Sequence, residues 1–516
     1  MSSYAEVRPA PATARPWSLA ETLSSRRFFW VALVLYLAAH IFLRLWETPN
    51  IGKNDVQEAL AAQGWAWGYH PRNPPLHTWL LMSSYAVFGV RLMAHVVLKY
   101  VLLGVTLGFG YLVSRRLLSN QLCALTAALS LTLLAPFAWT VHTALTHTLL
   151  LAAVNLATLW AAMRLSAGRR TRDYAIFGLV IALGFLAKYS YVLFLLPLIA
   201  AMLSQPGFRR VLADRRIFLT LAIALLVFAP HGFWMLEARF DFVQFLSEKQ
   251  RSNQPQPYLL DVVHGLGGLS YQALVFVAPL MLTFLPAFGR NLRSPTTTPT
   301  TLWAETIGRT IVFSVGLLVL DIIVLRAVNF ELRYMMCALL LLPLAAFCWL
   351  DRRAPSQKSL TTFVLAALAI GAIVFVALPA RAMLSQRTCN RCWEEMAAPE
   401  LARQIRHAGF VEGTIVADHY NVAGNMRLAF PSARIIAANY PVDTPLFAGD
   451  GRCLIVWNAR VSGDALPASI GAYLSARGVR PRGEPTYVVA PLRRSERMDR
   501  FGFWLLDNAD ARCRPL

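Results

Sequence analysis

Long apolar runs separated by short arginine-bearing breaks dominate the first three quarters of the chain. They fall at about residues 28–45, 92–113, 122–139, 149–163, 174–187, 192–202, 217–236, 271–288, 307–325, 334–349 and 361–378. Apolar runs of this kind match the thickness of a bilayer core, and they predict eleven membrane-spanning helices. A further run, 76–88, is apolar but short and is read as a helix lying at the membrane surface. The breaks carry a second signal. Arg26-Arg27, Arg115-Arg116, Arg164 to Arg172, Arg209 to Arg216, Arg290 with Arg293, and Arg352-Arg353 all fall on one side of that count. Cytoplasmic loops collect arginine and lysine, so the N-terminus is expected inside and the segment after the last span outside.

After residue 378 the period changes. Short β-branched runs at 413–417, 433–437, 453–457 and 486–490 alternate with helical stretches at 400–407 and 468–476. That alternation predicts a small α/β domain. The expected organisation is a disordered cytoplasmic segment over 1–25, rich in Pro, Ser and Ala, a transmembrane unit over 26–378 and an external domain over 379–516. The fold class is therefore mainly α, a polytopic membrane protein with about 11 transmembrane helices and a small C-terminal α/β domain.

Composition supports this picture. Of the 516 residues, 56% are hydrophobic and only 15% charged. The net charge of +21 is nearly all arginine, with five lysines in the chain. Such basicity would suit nucleic acid, but arginines confined to breaks between apolar spans obey the membrane rule instead. The first apolar run lacks a small-residue cleavage site behind it and reads as an anchor. No phosphate-binding P-loop or Rossmann glycine fingerprint is found. Cys123, Cys337 and Cys348 lie in apolar spans and read as packed thiols. Cys389, Cys392, Cys453 and Cys513 lie in the tail, an even set that fits disulfides in an oxidising compartment. The pairs Cys389 with Cys392 and Cys453 with Cys513 are favoured over a zinc site. Cys-x-x-Cys here follows a span rather than a strand, which excludes a thioredoxin-like reading.

Residues 52–79 hold the densest set of polar, aromatic and turn residues in the apolar half. Asn54 is a candidate helix cap with Gln57 as its partner three residues on, and Gly68 a candidate helix end. Asp55 and Glu58, three apart, share a helix face. Pro74-Pro75 forces an extended entry into the next helix. An acidic residue opening the first external loop, then Trp67-Gly68-Tyr69, then Pro74-Pro75-Leu76-x-x-Trp79, resembles the polyprenyl-phosphate-sugar glycosyltransferases of the protein O-mannosyltransferase superfamily. These are multispanning GT-C enzymes of glycosyltransferase family 39 and its relatives. The family pattern reads Asp-Glu where this chain has Asn54-Asp55. The resemblance thus implies Asp55 as catalytic base and leaves a divalent metal open.

Other motifs extend the likeness. Lys188, in Ala187-Lys188-Tyr189, matches a lysine held to bind the lipid phosphate, with Tyr189 beside it. An ionisable group at membrane depth is functional by default. Arg333, in Phe330-Glu331-Leu332-Arg333-Tyr334-Met335, matches a second phosphate-binding position, and Glu331 is its natural ion-pair partner. His147 stands near the place of a second acidic residue in many relatives. Pro230-His231-Gly232-Phe233-Trp234 resembles a bacterial Pro-His-x-x-Trp signature, and His231, within a span, needs a polar partner. Trp65, Trp67 and Tyr69 are expected to stack on sugar or line a lipid groove, and Glu58 and Arg72 to contact substrate. The polar loop over 241–257 is a candidate lid.

In the tail the Cys-x-x-Cys start, Gly413-Thr414-Ile415-Val416 and Gly424-Asn425-Met426-Arg427 are similar to bacterial lipopolysaccharide glycosyltransferases of this superfamily. Rhizobial galacturonosyltransferases and aminoarabinose transferases stand nearest. The resemblance implies an inverting transferase of a Gram-negative inner membrane, with a polyprenyl-phosphate sugar donor and a lipopolysaccharide or other glycolipid acceptor facing the periplasm. A flippase of polyprenyl-linked glycans and a protein O-mannosyltransferase are the alternatives. No nucleic-acid partner is expected.

Overall fold

The computed structural model of the chain describes residues 19–238, 256–388, 392–440, 442, 452–479, 483–493, 495–506 and 513. Among these, eight helices are long and apolar enough to cross a membrane: Arg26–Glu47, Leu92–Leu117, His147–Gly168, Ile217–Glu237, Tyr258–Phe288, Leu302–Leu325, Leu332–Asp351 and Gln357–Leu384. Two bent pairs add a span each if each is taken as one crossing. Gln121–Leu133 meets Pro136–Thr143 at 69°, and Tyr189–Leu203 meets Pro206–Leu212 at 114°. The expected span at 174–187 is the helix Thr171–Ala187, whose 17 residues fall just short of the length of the others. Each of the eleven expected spans thus has a helix or a bent pair at its place. The expected surface helix is Leu76–Phe88, with 13 residues. The stretch proposed as a lid lies mostly outside the described residues, and helix Tyr258–Phe288 begins well before the expected residue 271.

His147–Gly168 is the central helix. It is buried along nearly its whole length and packs on Leu92–Leu117 and Thr171–Ala187. By contrast Ile217–Glu237 and Gln357–Leu384 bury only 11% and 22% of their apolar stretches within the protein, as helices that face lipid do.

The tail carries a five-stranded mixed sheet. Its strands are β1 (Gly413–Ala417), β2 (Arg434–Ala437), β3 (Arg452–Asn458), β4 (Thr486–Pro491) and β5 (Met498–Leu506), in the order β2-β1-β3-β5-β4. The first three run parallel and the last two antiparallel to their neighbours. Sequence periodicity missed β5, because Gly502 interrupts its apolar alternation. That glycine lies under the Trp457 ring, where a Cβ would come within 2.3 Å of it. Cys453 and Cys513 form a disulfide. Cys392 is buried and disulfide-bonded, while Cys389 lies outside the described residues. Cys123, Cys337 and Cys348 are free and buried.

The tail is clamped onto the first loop. Leu60 of helix Asn54–Ala61 enters the same apolar cluster as Val422, Ala423 and Met426 of the tail. Gln63 continues the sheet edge, donating to the Ile435 carbonyl and accepting from its amide at 2.9 and 2.8 Å. Asn425 reads both backbone groups of Ile51 at 3.0 Å. Gly424 permits the close approach, since a Cβ there would lie 2.6 Å from Val56 Cβ.

Candidate active site

The loop helix is Asn54–Ala61, shorter than the sequence suggests. Lys53 stands at its N-cap with φ of 50°, and no side chain caps it. The side-chain Nδ2 of Asn54 donates instead to the Ala144 carbonyl at 2.7 Å, so a tertiary contact has taken the capping side chain. The helix ends at Ala61, and Gly68 serves another purpose: a Cβ there would meet the Trp234 ring at 2.2 Å. His231, one turn before Trp234 and stacked on it, donates or accepts at the Tyr189 hydroxyl at 3.1 Å and bonds the Trp67 carbonyl at 2.7 Å. A carbonyl only accepts, so Nδ1 carries the proton and Nε2 accepts from Tyr189. This supplies the polar partner the buried histidine needs, and ties the Trp-Gly-Tyr loop to a span.

Asp55 and Glu58 are both buried and find different partners. The Asp55 carboxylate accepts from the Lys99 ammonium at 2.9 Å. Burial opposes its charge, but Lys99, together with His95, outweighs burial and holds the carboxyl below its ordinary value. Glu58 has other partners. Its Oε2 meets His77 Nδ1 at 2.9 Å and accepts from the Thr78 hydroxyl at 3.0 Å, and its Oε1 meets His147 Nε2 at 2.8 Å. Burial again opposes the charge, and His147 and His77 overcome it, keeping Glu58 well below the usual carboxylate range. The ligand atoms of Glu58, His77 and His147 lie within 4.8 Å of one another, a set able to hold a metal ion. Lys99 and His77 were missed from sequence. Lys99 was legible as a lone cation in an apolar span; His77 had no signal beyond its place in the Pro-Pro-Leu motif.

A cavity of about 400 Å³ opens beside the N-terminal end of this helix. Lys53, Asn54, Gln57, Ala144, Glu331, Arg333 and Tyr420 are among its lining residues. Asn54 and Gln57 therefore face the cavity, while Asp55 and Glu58 point into the protein. Arg333 pairs with Glu331 at 2.6 Å, as its spacing suggested. Lys188 donates to the Thr148 hydroxyl at 2.7 Å, one residue beyond His147. Trp65 and Trp67 are exposed, whereas Tyr69 is buried and its hydroxyl accepts from the Ala66 amide at 3.0 Å. That leaves the two tryptophans, not Tyr69, as rings open to a ligand. Arg72 is exposed.

Residues 72–234 match the family model described as dolichyl-phosphate-mannose-protein mannosyltransferase. Along its length the chain is similar to two lipopolysaccharide core galacturonosyltransferases of Rhizobium johnstonii. RgtB is 27% identical over 93% of this chain and 98% of its own, and RgtA 24% identical over 87% and 90%. The fold matches the crystal structure of ArnT from Cupriavidus metallidurans bound to undecaprenyl phosphate, with a TM-score of 0.61 at 14% identity, over 95% of this chain and 100% of that one. The spans, the loop helix set against the sheet domain and these likenesses agree: the chain has the multi-pass membrane fold of ArnT and is similar, over nearly its whole length, to glycosyltransferases of lipopolysaccharide.

Proposed function

We propose that the chain transfers a galacturonosyl or related sugar from a polyprenyl-phosphate donor to a hydroxyl of lipopolysaccharide core or lipid A, on the periplasmic side of the inner membrane. One observation carries the reading. The cavity beside the loop helix is lined by two cations, Lys53 and Arg333, and lies where the span bundle meets the tail. A lipid-linked phosphate needs cations at the edge of the bilayer, and a large acceptor needs access from outside it. The names of the relatives support the sugar and the acceptor class; the arginine clusters between spans support the orientation.

In this reading the acceptor oxygen attacks the anomeric carbon as the bond from that carbon to the phosphate oxygen breaks, and the configuration inverts. The polyprenyl phosphate leaves with the bonding electrons. Arg333, Lys53 and Lys188 meet its growing negative charge, the electrostatic contribution that dominates such sites. Asp55 receives the acceptor proton. Lys99 holds only its Oδ2, which leaves Oδ1 as the oxygen that meets the acceptor hydroxyl. The exposed Trp65 and Trp67 offer faces for the sugar or the lipid.

The test compares mass spectra of lipid A and core oligosaccharide from cells with and without the gene. Loss of a hexuronic acid from either is expected. Unchanged glycolipids together with a lost glycan on periplasmic proteins would overturn the acceptor in favour of a protein hydroxyl.

A further inference from the structure

We propose that Glu58, His77 and His147 form a binding site for a divalent transition-metal ion, with zinc the best fit. The argument begins with a proton count. His147 Nδ1 lies 3.3 Å from the Ala187 carbonyl, which can only accept, so Nδ1 carries a hydrogen. In a neutral ring Nε2 then presents a lone pair, and it faces the Glu58 Oε1 at 2.8 Å. Two acceptors at that distance repel unless a cation stands between them, either a second proton on the ring or a metal ion. On the other side His77 Nδ1 approaches Glu58 Oε2 at 2.9 Å, so a second imidazole converges on the same carboxylate.

Three features favour the metal. The ligands come from three separate segments, the loop helix, Leu76–Phe88 and the first turn of His147–Gly168, and converge at 4–6% exposure. Outer partners already orient two of them: the Ala187 carbonyl fixes the His147 tautomer, and the Thr78 hydroxyl holds Glu58. Two imidazoles and one carboxylate are a donor set that zinc takes with one position left for water or substrate oxygen, and that magnesium and calcium avoid. Zinc bonds of about 2.0–2.2 Å at tetrahedral angles set donor atoms about 3.4 Å apart, a spacing that lies between the 2.8 and 2.9 Å carboxylate contacts and the 4.8 Å within which all three ligand atoms fall. A bound ion would lock the loop helix to the two helices beneath it. The site is independent of which sugar or acceptor is used, because metal content is measured without turnover.

The full-length protein, purified in detergent through a tag without histidine, is assayed by elemental mass spectrometry. About one zinc per chain is expected after dialysis against zinc and removal of the excess, as for a site with three protein ligands and one open position. Glu58→Gln and His147→Gln should fall to background, while His142→Gln, which alters a buried histidine outside the cluster, should keep the ion. Chelator-treated wild-type protein titrated with cobalt should give visible ligand-field bands, and this measurement needs no variant to fold. Wild-type protein that is monodisperse yet takes up neither zinc nor cobalt overturns the site and leaves an imidazolium bound to Glu58. Zinc retained by both ligand variants overturns it equally.

Discussion

Asp55 and Lys99 make a buried ion pair of 2.9 Å that joins the loop helix to the span Leu92–Leu117. Breaking one member of such a pair costs about 3–5 kcal/mol, because the survivor is left charged and unpaired. A loss of activity in Asp55→Asn alone would therefore not separate catalysis from folding. The double variant does. Asp55→Asn with Lys99→Met removes both charges and should recover most of the lost thermal stability. If Asp55 takes the acceptor proton, the double variant stays about 10²–10⁴-fold slower than wild type. Recovery of more than about a tenth of the wild-type rate would make Asp55 a structural anchor.

The same pair sets an acid limit. Asp55 has its folded pKa lowered by Lys99 against the opposing effect of burial. A carboxyl whose folded pKa is depressed stabilises the fold above its unfolded pKa, about 3.9, and loses that contribution as pH falls through the lower folded value. Thermal unfolding in detergent should thus be insensitive to this residue from neutral pH to about pH 4, and fall below it. The Asp55→Asn, Lys99→Met variant should show a shallower acid loss than wild type; an identical acid profile would exclude the pair as its source.

Much of this was legible in the chain, and the gaps have physical causes. Spans are read from apolar length, and all eleven found a helix or bent pair. The loop carrying Asp55 and Glu58 announced itself by turn residues. Its capping did not follow local preference, because the Asn54 side-chain Nδ2 bonds Ala144, ninety residues away in sequence. The facing of Asp55 and Glu58 also escaped the sequence. Three residues apart they do share a buried side, but Lys99 and the two histidines pull them to different partners, and those partners come from distant helices. Strand β5 was hidden by a glycine whose reason is the Trp457 ring above it.

The disulfide between Cys453 and Cys513 spans 60 residues and pins the chain end beneath β3. By loop entropy such a bridge is worth about 4 kcal/mol. Cys453→Ser should lower the tail's unfolding temperature and raise its susceptibility to protease, with little change at the span helices. Equal protease half-lives with and without the bridge would show that the sheet alone holds the end.

Arg333 is half-exposed and paired with Glu331, an interaction worth no more than about 1 kcal/mol at such a surface. Its value should lie in the donor. Arg333→Ala is expected to raise the KM for a polyprenyl-phosphate sugar and lower kcat, since phosphate is met in both ground and transition states. Arg333→Lys should recover only part, because the planar fork is lost. Glu331→Gln should leave the donor KM unchanged or lower. A donor KM unmoved by Arg333→Ala would remove this residue from the phosphate site.

Gly424 controls how closely the tail approaches the loop helix. A Cβ at this position would lie 2.6 Å from Val56 Cβ and 2.8 Å from Val56 Cα, and backbone cannot move aside as a flexible side chain does. Gly424→Ala should therefore push helix Asn54–Ala61 away from helix Tyr420–Ala429 at a cost of about 1–3 kcal/mol. The displaced helix carries Asp55 and Glu58, so kcat should fall as well, although the substitution touches no reacting group. Gly471 is the matched control. It lies within helix Ala468–Ser475 of the same domain, with nothing within 4 Å of its Cβ position. Gly471→Ala should be neutral or stabilising by about 0.5–1 kcal/mol through helix preference alone, with full transfer activity. Thermal unfolding and transfer rates of the two variants, measured side by side, decide the matter. If Gly424→Ala unfolds and turns over like Gly471→Ala, the tail does not hold the loop helix in place, and the clamp has no bearing on catalysis.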